Sequence, residues 1–170
     1  KVLPQIELAT TKIINVTDNA GKVMSCGNGG SAGDAQHIVS ELVNRFEKER
    51  KEIAAVSLNS DTATITSIAN DYDYKYIFSK QINAIGKKED LLIAFTTSGN
   101  SSNICEAINS AKKIKIPVVL ITGKDGGKAS NLLSSEDIEI RVPSDRTARI
   151  QEIHLIIIHS ICECIDEHLT

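Results

Sequence analysis

Tryptophan is absent, and aromatics make up only 4% of the 170 residues. That is too few rings for a platform on which single-stranded nucleic acid stacks. Excess positive charge is lacking too. The net charge of −3 excludes the basic footprint of a stand-alone nucleic-acid binder. The four cysteines, Cys26, Cys105, Cys162 and Cys164, form no CxxC pair and no regular framework, so they read as reduced thiols of a cytoplasmic protein. The longest apolar stretch, Ile150 to Ile165, is broken by Gln151, Glu152, His154, His159 and Glu163. It falls short of the roughly 18 consecutive apolar residues of a membrane span. The chain opens Lys1-Val2-Leu3-Pro4-Gln5, without an initiator Met or a signal-peptide core, which suggests a trimmed start. What is present is 41% hydrophobic and 24% charged residues with no internal linker. A chain of this size buries roughly 70% of its unfolded surface, so one globular domain over residues 1–170 is expected.

Short β-branched runs alternate with longer helical patterns. Strands are expected at Lys22–Cys26, Ile53–Leu58, Leu91–Thr96, Val118–Thr122 and Ile138–Val142. They are continuously apolar, as strands buried on both faces should be. Helical segments are expected before Gly21 and at Ser31–Glu49, Asp61–Ala69, Tyr74–Ile85, Ser101–Ile114, about Lys128–Leu133, and from Thr147 onward. Such alternation means βαβ units, hence an α/β, three-layer αβα domain on a five-stranded parallel sheet. Ligands of such folds sit beyond the C-terminal strand ends. Three strand ends here run into small polar loops: Cys26–Ser31, Thr96–Ser101 and Thr122–Gly127.

Glycines let backbone approach an anion, and helix-starting N–H groups point towards it. Thr97, Ser98 and Ser101 therefore read as a phosphate cradle, with Ser101 also placed to N-cap the following helix. The first loop, Gly27-Asn28-Gly29-Gly30-Ser31-Ala32, also matches the dinucleotide fingerprint G-x-G-x-x-G/A. That fingerprint expects an acid at the end of the second strand, where this chain has Leu58-Asn59-Ser60. It also leaves the Thr96–Ser101 loop without a role. A phosphorylated ligand held by both loops is the preferred reading.

His37 and Glu41 share one helix face, a pairing suited to proton transfer or metal ligation, or to an ordinary surface pair. The last helix sets Gln151, Glu152, His154 and His159 in an Ile/Leu-rich segment. Gln151 and His159 are about 12 Å apart along that helix, so if both serve active sites, those sites draw on more than one chain. Asn70-Asp71 follows a helix near the same sheet edge, as a polar loop or a plain helix stop. Arg149 reads as a surface or inter-subunit ion-pairing group, Cys162 and Cys164 as packing residues, and Phe46–Glu52 as a solvated helix end.

The segments Cys26-Gly-Asn-Gly-Gly-Ser31, Asp34-Ala-Gln-His37, Glu41-Leu-Val-Asn-Arg45, Ala69-Asn-Asp71, Thr97-Ser-Gly-Asn-Ser101, Thr122-Gly-Lys-Asp-Gly-Gly127 and Ala148-Arg-Ile-Gln-Glu-Ile-His154 occur in that order. With them the chain, from about Gly21, resembles the sugar isomerase (SIS) superfamily, and most closely its bacterial isomerases of seven-carbon sugar phosphates. The resemblance implies a flavodoxin-like SIS fold in a homotetramer with inter-subunit active sites. The implied reaction converts D-sedoheptulose 7-phosphate to D-glycero-D-manno-heptose 7-phosphate, the first step towards the ADP-heptose of lipopolysaccharide. By motif, Asn28, Gly29, Gly30, Ser31, Asn70, Asp71, Thr96, Thr97, Ser98, Ser101 and Gln151 would bind the sugar phosphate. His37, Glu41, Gln151 and His159 would be ligands to Zn in members that hold it, and Glu41 and His159 the acid–base pair. Thr96 stands where many members have Ser, keeping the hydroxyl, whereas Ala148 replaces an Asp found in some. A non-catalytic branch, which binds the bacterial replication initiator, shares Asn44–Glu47 and Arg149–Glu152 but lacks Glu and His at positions 41 and 159. This chain has both, which favours an enzyme. Sugar-sensing SIS modules usually adjoin a DNA-binding domain, for which 170 residues leave no room.

Overall fold

The computed structural model describes residues 2–170. Helix α1 (Leu3–Asp18), with Pro in its first turn, leads into β1 (Val23–Cys26) and α2 (Gly30–Val43). Next come β2 (Ala55–Ser57), α3 (Thr62–Asp71), a 3-10 turn (Tyr74–Tyr76), α4 (Ser79–Ile85) and β3 (Leu91–Thr96). Helix α5 (Ser102–Ile114), β4 (Val118–Gly123), α6 (Gly127–Ser130), β5 (Ile138–Val142) and α7 (Thr147–Leu169) complete the chain. All strand pairs are parallel, in the order β2-β1-β3-β4-β5. That is the flavodoxin-like order, whose switch point lies between β1 and β3.

Alternation along each strand builds two cores. Val23, Leu91, Ile93, Phe95, Val119 and Ile121 face α1, α2 and α7. Met24, Cys26, Leu92, Ala94, Val118 and Leu120 face α3, α4, α5 and α6. Ile93, Phe95, Leu120 and Ile121 have no exposed surface, and fully burying one such side chain stabilises by about 1.5–3 kcal/mol. The unbroken apolar runs mark the central strands β3 and β4, whereas edge strand β5 alternates, with Glu139 and Arg141 between buried Ile138, Ile140 and Val142, contrary to expectation.

The second helix departs from expectation. It ends at Val43, not Glu49, and Phe46–Glu52 is a pinned loop, not a solvated helix end. Arg50 turns back and donates from Nη2 to the Glu41 carbonyl (2.6 Å) and from Nη1 to the Leu42 carbonyl (3.1 Å). Its Nε donates to Asp166 Oδ1 on α7 (2.9 Å), while Asp166 Oδ2 accepts from the backbone N–H groups of Glu47 (2.9 Å) and Lys48 (2.8 Å). An arginine thus satisfies the orphan carbonyls of a helix end that has no glycine cap. The segment expected as one helix at Tyr74–Ile85 is divided: Asp73 caps the 3-10 turn, and α4 starts only at Ser79, after buried Ile77 and Phe78.

Candidate active site

The β1–α2 and β3–α5 loops flank the switch point and enclose a cleft of about 60 Å³. Asn28, Ser31, Phe95, Thr96, Thr97, Ser98, Ser101 and Gln151 line it. It is on the order of two water molecules in size, suited to a phosphate group rather than a whole sugar. A groove of about 420 Å³ lies at the other end of the sheet, lined by Lys12, Lys112, Lys115 and Pro117. Size alone would select that groove, but the two glycine- and hydroxyl-rich loops at the strand ends converge on the smaller cleft, which is the candidate site.

Each cleft residue is held by its element. Gln151 leans from α7 so closely over Gly30 that a Cβ there would come within 2.4 Å of its Nε2. Ser101 occupies the N-cap position of α5, yet its hydroxyl makes no cap bond with the helix, contrary to expectation. It lines the cleft instead. Thr96 Oγ1 accepts the Gly99 N–H (3.1 Å) and shapes the cradle turn.

The third polar loop is a brace and contributes no cleft side chain. Gly99, at φ +66°, packs so tightly on it that a Cβ would lie 1.8 Å from the Gly126 carbonyl oxygen. The Ala129 N–H donates to the Gly99 carbonyl (2.8 Å). Asn70 and Asp71 end α3 exposed and bond each other (2.9 Å), outside this cleft.

Sequence reasoning overlooked Asn59. Its amide spans the backbone of Gly27, accepting from the N–H (3.1 Å) and donating to the carbonyl (2.8 Å). This is the strand end where a dinucleotide site needs a ribose-binding acid. Here a neutral amide sits there with its polar groups engaged in holding the loop.

Further along α2 and α7 lies the second half of the site. His37 Nε2 is 3.1 Å from Glu41 Oε1 and 3.4 Å from His159 Nε2. The two rings meet edge-on with centroids 5.1 Å apart, and Phe46 lies 5.5 Å from the His159 ring. His37, Glu41 and His159 therefore converge within one protomer, with His37 in the middle. Gln151 is not with them: its amide is at Gly30, seven residues up α2.

Between the two halves, His154 is fully buried, a core histidine of which only one ring nitrogen is paired. Its Nε2 lies 3.1 Å from the Thr122 carbonyl, which can only accept, so Nε2 carries the proton. Burial holds this imidazole below its usual range, against the opposing pull of that carbonyl. Its Nδ1 faces Asp34 Oδ2 at 3.9 Å, and neither atom has a hydrogen-bond partner among the described residues. Burial pushes the Asp34 carboxyl up from 3.8 to about 6, and the charge of His37 only partly offsets this. Between pH 3.8 and 6 the folded protein holds a proton that the unfolded chain has released. Stability from this group accordingly declines as pH rises through that window and stays lower above it. Asp34→Asn removes the buried charge and offers Nδ1 a donor. Thermal melts should show it stabilised at pH 7.5, by on the order of 1 kcal/mol, with no gain near pH 4. Equal gains at both pH values would contradict this account.

A phosphate-sized cleft at a flavodoxin-like switch point, joined by two packed helices to an imidazole–carboxylate cluster, is the arrangement of an α/β ligand-binding protein. Residues 3–123 match the SIS domain family. Over 170 residues the chain is 53% identical to the phosphoheptose isomerase of Alteromonas mediterranea, spanning 99% of this chain and 86% of that one. The structure of phosphoheptose isomerase from Neisseria gonorrhoeae superposes with a TM-score of 0.93 at 42% identity, covering 98% of this chain and 87% of that one. The Francisella tularensis phosphoheptose isomerase gives 0.94 at 43% identity, with the same coverage. The chain belongs to the SIS domain family and, within it, to the phosphoheptose isomerases, a family of enzymes.

Proposed function

We propose that this enzyme is an aldose–ketose isomerase converting D-sedoheptulose 7-phosphate to D-glycero-D-manno-heptose 7-phosphate, at the head of ADP-heptose synthesis for lipopolysaccharide. The observation that carries this reading is the spacing of the two half-sites. His37 lies seven residues beyond Gly30, about 10 Å along α2, and helical side chains lean back towards the N-terminus. In an extended seven-carbon chain, seven bonds separate phosphorus from C2, a span of about 8 Å at the advance per bond of an extended backbone. With phosphate against Thr97, Ser98 and Ser101, the reacting carbons fall beside Glu41 and His159.

Glu41 removes the C1 proton. The electron pair becomes the C1–C2 double bond, and the C2 carbonyl oxygen takes the negative charge of an enediolate. His159 carries a proton from O1 to O2, and Glu41, now protonated and free to exchange with solvent, returns a proton to C2, which completes the aldose and restores the carboxylate. Remote binding of the phosphate holds C1 in line for the carboxylate.

The donor set also suits zinc. Bonds of roughly 2.0–2.1 Å place tetrahedral ligand atoms about 3.3 Å apart, close to the 3.4 Å between His37 and His159 and the 3.1 Å between His37 and Glu41. Only these two pairs have that spacing: among the described residues no group of three or more His, Cys, Asp or Glu side chains is arranged to hold a metal ion. His37, Glu41 and His159 would hold the ion on closing together, whereas Gln151, the fourth ligand that the family resemblance implies, has its amide at Gly30 and is out of reach of them in this protomer. Bound there, zinc would polarise the substrate oxygens as a Lewis acid.

A homotetramer with shared sites fits two features. Ile153, Leu155 and Ile156 on α7 and Leu3 and Leu8 on α1 are exposed, and Asn70 and Asp71 are exposed and do not line the cleft of their own protomer. A cytoplasmic location agrees with four free cysteines, and no helix among the described residues is long and apolar enough to cross a membrane.

Incubation with sedoheptulose 7-phosphate in D₂O, followed by NMR, tests the reaction. The expected result is a growing aldose anomeric signal with solvent deuterium at C2. Failure of folded, metal-replete protein to turn over the sugar would return the chain to the non-catalytic branch.

A further inference from the structure

Asn28 has a side chain whose polar valences are nearly exhausted within the protein. Its Nδ2 donates to Asn103 Oδ1 (2.8 Å), and its Oδ1 accepts from Asn103 Nδ2 (2.8 Å) and from the Tyr74 hydroxyl (3.2 Å). A primary amide offers two N–H donors and two acceptor lone pairs. Both lone pairs and one N–H are therefore engaged, and a single N–H remains. Asn103 is 2% exposed in the first turn of α5, directly after the cradle loop, so its amide is locked by packing. Tyr74 reaches the same oxygen from the 3-10 turn that follows α3.

We propose that Asn103 and Tyr74 are positioning residues that fix the Asn28 amide, so that it presents one N–H donor, and no acceptor, to the phosphosugar in the cleft. The proposal deepens the functional reading above and rests on it for the identity of the ligand. The clamp joins three separate elements, because Asn28 precedes α2, Asn103 begins α5 and Tyr74 follows α3. An acceptor-poor Asn28 favours groups rich in lone pairs, such as phosphate or ether oxygens, over groups that must donate. Loss of the clamp lets the amide rotate, and binding weakens before chemistry does.

Two measurements test this. Steady-state kinetics with sedoheptulose 7-phosphate should give Asn103→Ala a KM about tenfold higher, with kcat changed less than about threefold, as expected for two lost neutral hydrogen bonds. Tyr74→Phe should raise KM about two- to fivefold without altering Tm, since Tyr74 is 55% exposed and folding does not depend on its hydroxyl. The second readout needs no substrate. In ligand-free protein the Asn28 Nδ2 proton bonded to Asn103 should be shifted downfield, and in Asn103→Ala the two Nδ2 signals should narrow to the separation of an unbonded primary amide, whose protons stay distinct because the C–N bond rotates slowly. Wild-type turnover with unchanged KM in both variants would overturn the clamp, as would an Asn28 signal indifferent to Asn103. Absence of turnover by the wild type, with the signal change intact, would sink the functional reading and leave the clamp standing.

Discussion

Glu41→Gln is expected to lower kcat by about 10²- to 10⁴-fold, the usual worth of a general base, while the protein stays folded. The substitution keeps size and hydrogen-bonding shape and removes only the capacity to take a proton. Its sole ion-pair partner among the described residues is His37, at 3.1 Å, and both side chains are partly exposed, so little folding energy is at stake. His159→Gln should cost a similar factor. His159→Ala is a less clean probe because the ring also packs on His37 and Phe46. If the two groups act as a unit, the double variant will be hardly slower than the worse single one, because residues of one catalytic unit are strongly non-additive. Turnover rates near wild type in both single variants would remove them from the mechanism. Circular dichroism should be unchanged in all of them.

Asp166→Ala should destabilise the fold by about 3–5 kcal/mol, the cost of leaving a buried charge unpaired. Arg50 and Asp166 have 0% and 2% of their side-chain surface exposed. Removing the carboxylate strands the guanidinium and also frees the backbone N–H groups of Glu47 and Lys48. For a chain of this length such a loss corresponds to a fall in Tm of about 10 °C. Urea unfolding would measure it directly, and a loss below about 1 kcal/mol would contradict the account. Replacing both partners with apolar residues, Arg50→Met with Asp166→Leu, should cost far less than Asp166→Ala, since no charge is left without a partner. The same network grips the Glu41 carbonyl through Arg50 Nη2. Asp166→Ala is therefore also expected to slow turnover in the fraction that remains folded.

The sheet, its strand boundaries to within a residue or two at most places, and both Ser/Gly loops could be read directly from the chain. Buried parallel strands and phosphate loops are local patterns, and local patterns survive in sequence. The end of α2 was not legible, because what stops it is Arg50 paired with a residue 116 positions away. Asn59, Asn103 and the Asp34–His154 contact were missed for the same reason. Each is one polar residue whose partner lies in another element. Only Asn59 left a trace, as an amide standing where a dinucleotide site would need an acid. The Thr122–Gly127 loop shared the glycine-rich look of the other two, and only tertiary packing separates a brace from a cradle. The convergence of His37, Glu41 and His159 was half visible, since periodicity paired the first two and only helix packing could add the third.

Helices α2 and α7 run side by side in the same direction, meeting at Gly30 with Gln151, Asp34 with His154, and His37 with His159. They act as the two rails of a ladder whose rungs are functional. One residue added to or deleted from either rail between the first and last rungs turns everything beyond it by about 100°. It would bring all later rungs out of register at once. Length in this stretch is thus quantised in a way that surface loops are not. A designer who wished to lengthen the site for a longer sugar would have to insert a whole number of helical turns in both rails together.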